Sequence, residues 1–125
     1  MAEFSKAWGS SKNPGKQRKY RANSPLHMKH NLVHSHLSKD LRKKHGKRSI
    51  GVRKGDKVKI MRGKFRKQEG KIERVNLRTA GVFVSGIEIT KKDGTKKMLA
   101  LHPSNLLITE LNLDDKLRQK ALERK

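Results

Sequence analysis

Between Val52 and Val75 the chain reads VRKGDKVKIMRGKFRKQEGKIERV, with glycines at Gly55, Gly63 and Gly70 and apolar residues that alternate with cations. A run built this way is constrained to fold as a strand, a basic loop and a returning strand. Gly55-Asp56 has turn chemistry, since glycine tolerates positive φ and aspartate bonds its own backbone two residues on. The strand that follows places Val58 and Ile60 on one face and Lys57, Lys59 and Met61 on the other. Arg62 to Glu69 reads as a loop, because five of its first six residues are cations or glycine and no apolar period runs through it. Gly70 then turns the backbone back, and the odd spacing of Ile72 and Val75 predicts a bulge in the second strand.

These residues resemble the KOW motif: a Gly-Asp turn (Gly55, Asp56), a strand of alternating aliphatics (Val58, Ile60), a glycine (Gly63), a basic loop, and a second glycine followed by a hydrophobe (Gly70, Ile72). Many KOW loops carry a further glycine in the basic stretch, where this chain has Phe65, Arg66 and Lys67. The resemblance implies an RNA-binding barrel of the kind found in ribosomal proteins and transcription elongation factors alike. Taken alone, the same glycines would also serve an ordinary barrel hairpin.

Charge points the same way. In 125 residues, 33 Lys plus Arg stand against 11 Asp plus Glu, a formal charge of +22 that repels itself unless a dense polyanion neutralises it. Nucleic acid is the expected partner. With 32% hydrophobic and 4% aromatic residues, one compact core cannot extend over the whole chain, so part of it orders elsewhere. There is no cysteine, which excludes disulfide scaffolds and thiolate metal sites and favours an intracellular setting. No apolar run approaches a membrane span and MAEFSKAWGSSK has no signal-peptide core, so a cytoplasmic protein without a membrane partner is expected.

Net charge is +11 over residues 1–50, +9 over 51–110 and +2 over 111–125. Residues 9–24, GSSKNPGKQRKYRANS, show neither helical nor strand periodicity and read as an extension without its own core. Lys16, Arg18, Lys19 and Arg21 are candidate phosphate ligands and Tyr20 a candidate base stacker. The alternative is a solvated tail.

Ser24-Pro25 fits an N-cap with proline at the first helical position, with Leu26, Met28, Leu32 and Val33 as a loose apolar stripe beyond it. Ser38 caps a second short helix through Leu41 to Lys44, ended near Gly46. His27, His30 and His34 fall at helical spacings, with His36 nearby, and three imidazoles on one face can hold zinc. No carboxylate completes such a shell and Lys29 opposes a cation, so imidazoles that stack on bases or bond phosphates are the preferred reading and no metal is expected.

Val82, Phe83, Val84, Ile87 and Ile89 read as a third strand, bent at Gly86. Asp93-Gly94 signals a type I′ hairpin flanked by lysines, which either guard a solvated tip or meet a partner. Met98 to Leu101 returns, His102-Pro103-Ser104-Asn105 turns, and Leu106 to Ile108 make a fifth strand. Asp114-Asp115 opens a last helix with Leu117, Ala121 and Leu122 on one side. The expected fold is mainly β, a small SH3-like barrel over residues 50–110. A basic, partly helical extension (1–49) precedes it and a short C-terminal helix (111–125) follows.

Outside the KOW unit, NSPLHMKHNLVHSHLSKDLRKKHGKRSIGVRKGD and LALHPSNLLITELNLDDKLRQKALERK resemble the archaeal and eukaryotic branch of large-subunit ribosomal protein family 24, numbered 26 in older eukaryotic usage. The likeness runs from about residue 12 to 125; the extra histidines His30, His34 and His36 are not carried over as family sites. It implies an early-binding constituent of the large subunit that contacts the 5′ region of the large rRNA, assists assembly and lies near the polypeptide exit tunnel. The implied rRNA contacts are the loop cations Arg62, Lys64, Arg66, Lys67 and Lys71, the N-terminal cations above with His27 and Lys29, the run Lys43, Lys44, Lys47 and Arg48, and His102, Ser104 and Asn105 of the HPSN turn. Neighbouring ribosomal proteins are the other implied partners. No cofactor or small-molecule substrate is called for, and no nucleophile-base pair or phosphate-binding glycine loop suggests an enzyme. The runner-up is a KOW-type transcription or RNA-processing accessory factor.

Overall fold

The computed structural model describes residues 4, 5 and 7–124. Helices α1 (Pro14–Asn23) and α2 (Leu26–Leu32) lead into β1 (His34–Leu37), α3 (Lys39–His45) and β2 (Ser49–Gly51). Then come β3 (Lys57–Ile60), β4 (Glu69–Asn76), β5 (Gly81–Thr90), β6 (Lys96–Leu101), a 3-10 turn (Pro103–Asn105), β7 (Leu106–Glu110) and α4 (Lys116–Glu123). The strands form one curled sheet in the order β2-β1-β7-β3-β4-β5-β6, antiparallel except where β1 runs parallel to β7. This is the expected mainly β, small SH3-like barrel, with seven strands rather than five.

Alternation fills its core. Val58 and Ile60 of β3, Val82 and Val84 of β5, and Leu106 and Ile108 of β7 are all buried. Gly86, at φ +77, breaks the period of β5 so that Ile87 returns to the inside. β4 belongs to both halves of the barrel: its first residues pair with β3, and from Ile72 onward, with a register shift between Ile72 and Arg74, it pairs with β5. That shift is the bulge expected from the Ile72 and Val75 spacing, and it lets one strand turn the corner.

Gly70 does not turn the chain. It lies inside β4, where an added Cβ would stand 2.6 Å from the Ser85 carbonyl oxygen and 2.8 Å from Val84 Cγ1. Close backbone approach is therefore what requires glycine, and Gly70→Ala should lower unfolding free energy by about 1–3 kcal/mol, measured by urea denaturation. A loss below about 0.5 kcal/mol would contradict this account. The reversal instead uses Gly63 (φ +93) and Lys67 (φ +73), so a lysine takes the left-handed conformation in the stretch where many KOW loops have glycine.

Several local expectations are corrected. Residues 14–23 are helical, capped by Asn13, whose Oδ1 accepts from the Gly15 amide at 2.9 Å with Pro14 at the first turn; none of the helix is buried. Ser24 does not cap α2: its hydroxyl donates to the Arg21 carbonyl at 2.7 Å and closes α1. His34 and His36 stand on β1 while His27 and His30 are on α2, so the four do not share a helical face. Only Gly94 has positive φ at the lysine-flanked tip, and its amide bonds Lys91 O, so the turn is not type I′. Ser38 and Gly46, by contrast, cap α3 as expected.

Candidate nucleic-acid interface

β3 ends at Ile60 and projects the loop 61–68, whose shape is set by backbone bonds from Lys67 N to Ile60 O (2.8 Å) and Arg66 N to Gly63 O (3.1 Å). Phe65 tucks partly against the core and anchors the loop, with Lys64 Nζ 5.9 Å from its ring centroid. Arg62, Lys64, Arg66 and Lys67 are left exposed, as is Lys71 on β4. Met61 N donates to Asn105 O at 2.8 Å, which sets the HPSN turn against the root of this loop. The turn is held by Pro103, buried, whose carbonyl accepts from the buried Ser35 hydroxyl at 2.6 Å. His102 Nδ1 accepts the Ser104 amide at 3.3 Å, and the Ser104 hydroxyl is 2.7 Å away. Both side chains point outward, while Asn105 is half-buried.

A second cluster lies on the N-terminal side. Arg21 of α1, Lys29 of α2, Arg78 of the β4–β5 turn and His102 surround a hollow of about 250 Å³ that no acidic side chain lines. Sequence reading missed Arg78, whose place depends on a turn that brings it beside residues far away in the chain. Lys16, Arg18 and Lys19 are exposed on α1. Tyr20 is less available than expected, because Trp8 stacks on its ring at 4.1 Å and Phe4 lies at 4.8 Å. His27, Lys43, Lys44 and Arg48 are exposed, whereas the Lys47 ammonium donates to the Ala121 carbonyl near the end of α4.

Among the described residues, the ion pairs are Arg53 with Asp115, Lys57 with Glu110 (3.1 Å), Lys59 with Glu69 (3.5 Å) and Arg118 with Asp56 (2.6 Å). None of the cations nominated from sequence takes part. Arg62, Lys64, Arg66 and Lys67 gather on the loop and Arg21 and Lys29 on the hollow, an arrangement suited to a polyanion.

The fold and this surface define a class: strongly basic small-barrel proteins whose cations are left for an external partner. Residues 11–125 match the family that comprises the eukaryotic ribosomal proteins L26 and their archaeal equivalents. The chain belongs to that family, which makes it a structural constituent of the cytoplasmic ribosome. It is 50% identical over 115 residues to the large ribosomal subunit protein uL24 of Methanosphaera stadtmanae, covering 92% of this chain and 98% of the relative. To the uL24 of Methanothrix thermoacetophila it is 46% identical over 114 residues, covering 91% and 98%.

Proposed function

We propose that the protein is built into the large ribosomal subunit by binding large-subunit rRNA, in its 5′ region, early in assembly and near the polypeptide exit tunnel. The observation that carries the rRNA reading is the set of cations without acidic partners: the exposed Arg62, Lys64, Arg66 and Lys67 on the loop 61–68, and Arg21, Arg78 and the half-buried Lys29 around the hollow. The 5′ location, the early role and the tunnel position come from the resemblance to the ribosomal family. The barrel holds the basic loop rigidly, so its guanidinium and ammonium groups meet phosphates in one register. The N-terminal helices, which bury no residue of their own, then neutralise phosphates of adjoining rRNA. Residues 50–110 act as the binding body together with β1, which pairs with β7, while α1 and α2 are the extension laid on RNA and 111–125 act as a brace. Sucrose-gradient sedimentation of lysate tests this: the protein should stay with large subunits through a high-salt wash. Recovery at the top of the gradient or with RNA polymerase would overturn it.

A further inference from the structure

The segment 52–54 between β2 and β3, away from the basic loop, borders a groove of about 960 Å³ between α2, β2, the end of β4 and α4. Its apolar lining includes Ile50, Val75, Leu77, Ala121 and Leu117, and Leu117 is 72% exposed, more than any other large hydrophobic among the described residues. Its charges differ from those of the rest of the surface. Arg53 is paired with Asp115, Arg118 with Asp56, and Arg74 lies over the Phe83 ring at 4.6 Å. Partial burial pushes the His34 imidazole below its ordinary value, which disfavours its charged form. What remains is Lys54 and Arg74 against Glu73 and Asp114, two carboxylates that form no ion pair among the described residues. On a chain of +22 this is a near-neutral, apolar patch with carboxylates at its edge. Phosphate backbones avoid such a surface, whereas protein partners cover it.

We propose that this groove docks a segment of another ribosomal protein, one that inserts an aliphatic or aromatic side chain beside Leu117 and sets a lysine or arginine against Glu73 and Asp114. The inference rests on the ribosomal reading above and adds to it which face meets protein and which meets RNA. A segment of this chemistry matches both the apolar floor and the two carboxylates that form no ion pair.

The test places a benzophenone amino acid at position 117 of the full chain, and separately at position 64 in the basic loop, and irradiates isolated large subunits. Position 117 should crosslink to a peptide of one other ribosomal protein bearing a cation within a few residues of an apolar side chain; position 64 should crosslink to rRNA. Crosslinking of position 117 to rRNA, to a second copy of this chain, or to nothing overturns the proposal. As Leu117 is exposed, Leu117→Asp should fold and enter subunits, yet lower retention of the crosslinked neighbour in salt-washed subunits about fivefold or more. Unchanged retention would also overturn it. Were the protein absent from large subunits altogether, the ribosomal reading itself would fail and the groove proposal with it. Presence there without a protein crosslink defeats the groove proposal alone.

Discussion

Arg118→Met should remove about 3–5 kcal/mol of stability, on the order of half of what a domain of this size possesses. The reason is Asp56, which is fully buried and receives both guanidinium NH groups of Arg118 at 2.6 Å. The same carboxylate accepts the amides of Arg53 (3.0 Å) and Asn112 (2.9 Å), so it ties the Gly55-Asp56 turn to the segment leaving β2 and to the segment entering α4. Arg118 also donates to the carbonyls of Asn112 (2.7 Å) and Gly51 (3.1 Å), joining the C-terminal helix to the short edge strand β2. Methionine keeps most of the packing volume but leaves a buried carboxylate without its counter-charge, and that desolvated charge is the main cost. Asp56→Ala should be comparably damaging, because it strands the guanidinium. The double variant should lose much less than the sum of the two, since neither charge is then left alone. Urea denaturation of the three variants measures this; a loss below about 1 kcal/mol for Arg118→Met would show that the pair does not brace the barrel.

The second large effect is on RNA. Replacing Arg62, Lys64, Arg66 and Lys67 together by glutamine should lower affinity for large-subunit rRNA on the order of a hundredfold to a thousandfold near physiological salt, and reduce the salt slope by about three to four. All four are exposed, so thermal stability should change little. Arg78→Ala alone should reduce the slope by about one. Lys57 and Lys59 already pair with Glu110 and Glu69, and their glutamine variants should change it less. For the parent protein, about 6–10 phosphate contacts correspond to an affinity loss of about a thousandfold or more between roughly 50 and 200 mM salt. Filter binding across a salt series measures all of these, and an unchanged slope in a folded loop variant would remove the loop from the interface.

What could be read in the sequence was whatever is decided locally. The Val58 and Ile60 alternation, the bend at Gly86, the bulge after Ile72 and the Ser38 and Gly46 caps depend on neighbours in the chain, and the structure has all of them. Strand β1 was hidden because HSHL has little β-branched character; its conformation is imposed by pairing with β2 and with β7, some 70 residues later. Histidine spacing therefore imitated a helix. Helix α1 was signalled by Asn13-Pro14, but the absence of an apolar stripe concealed it. Asp56 looked like a turn residue because its local bond to Arg53 N is one, while its greater role depends on a guanidinium 62 residues away. For the same reason the spacing groups Leu117 with Ala121 and Leu122 on one side of α4, when Arg118 and Leu122 are the residues that are buried. In the candidate site, the exposed loop cations were legible, but Arg78 joining the hollow and Lys47 turning to Ala121 were not.

The span between Asp56 and Arg118 also sets an order of events at the chain's birth. Synthesis at about 5–20 residues per second separates the carboxylate from the guanidinium that neutralises it by roughly 3–12 s, given a sequence separation of 62. During that interval the strongly cationic first fifty residues are already made, while β3 to β7 and then the brace are still to come. Closure is thus a late step, one that waits for α4 to be made.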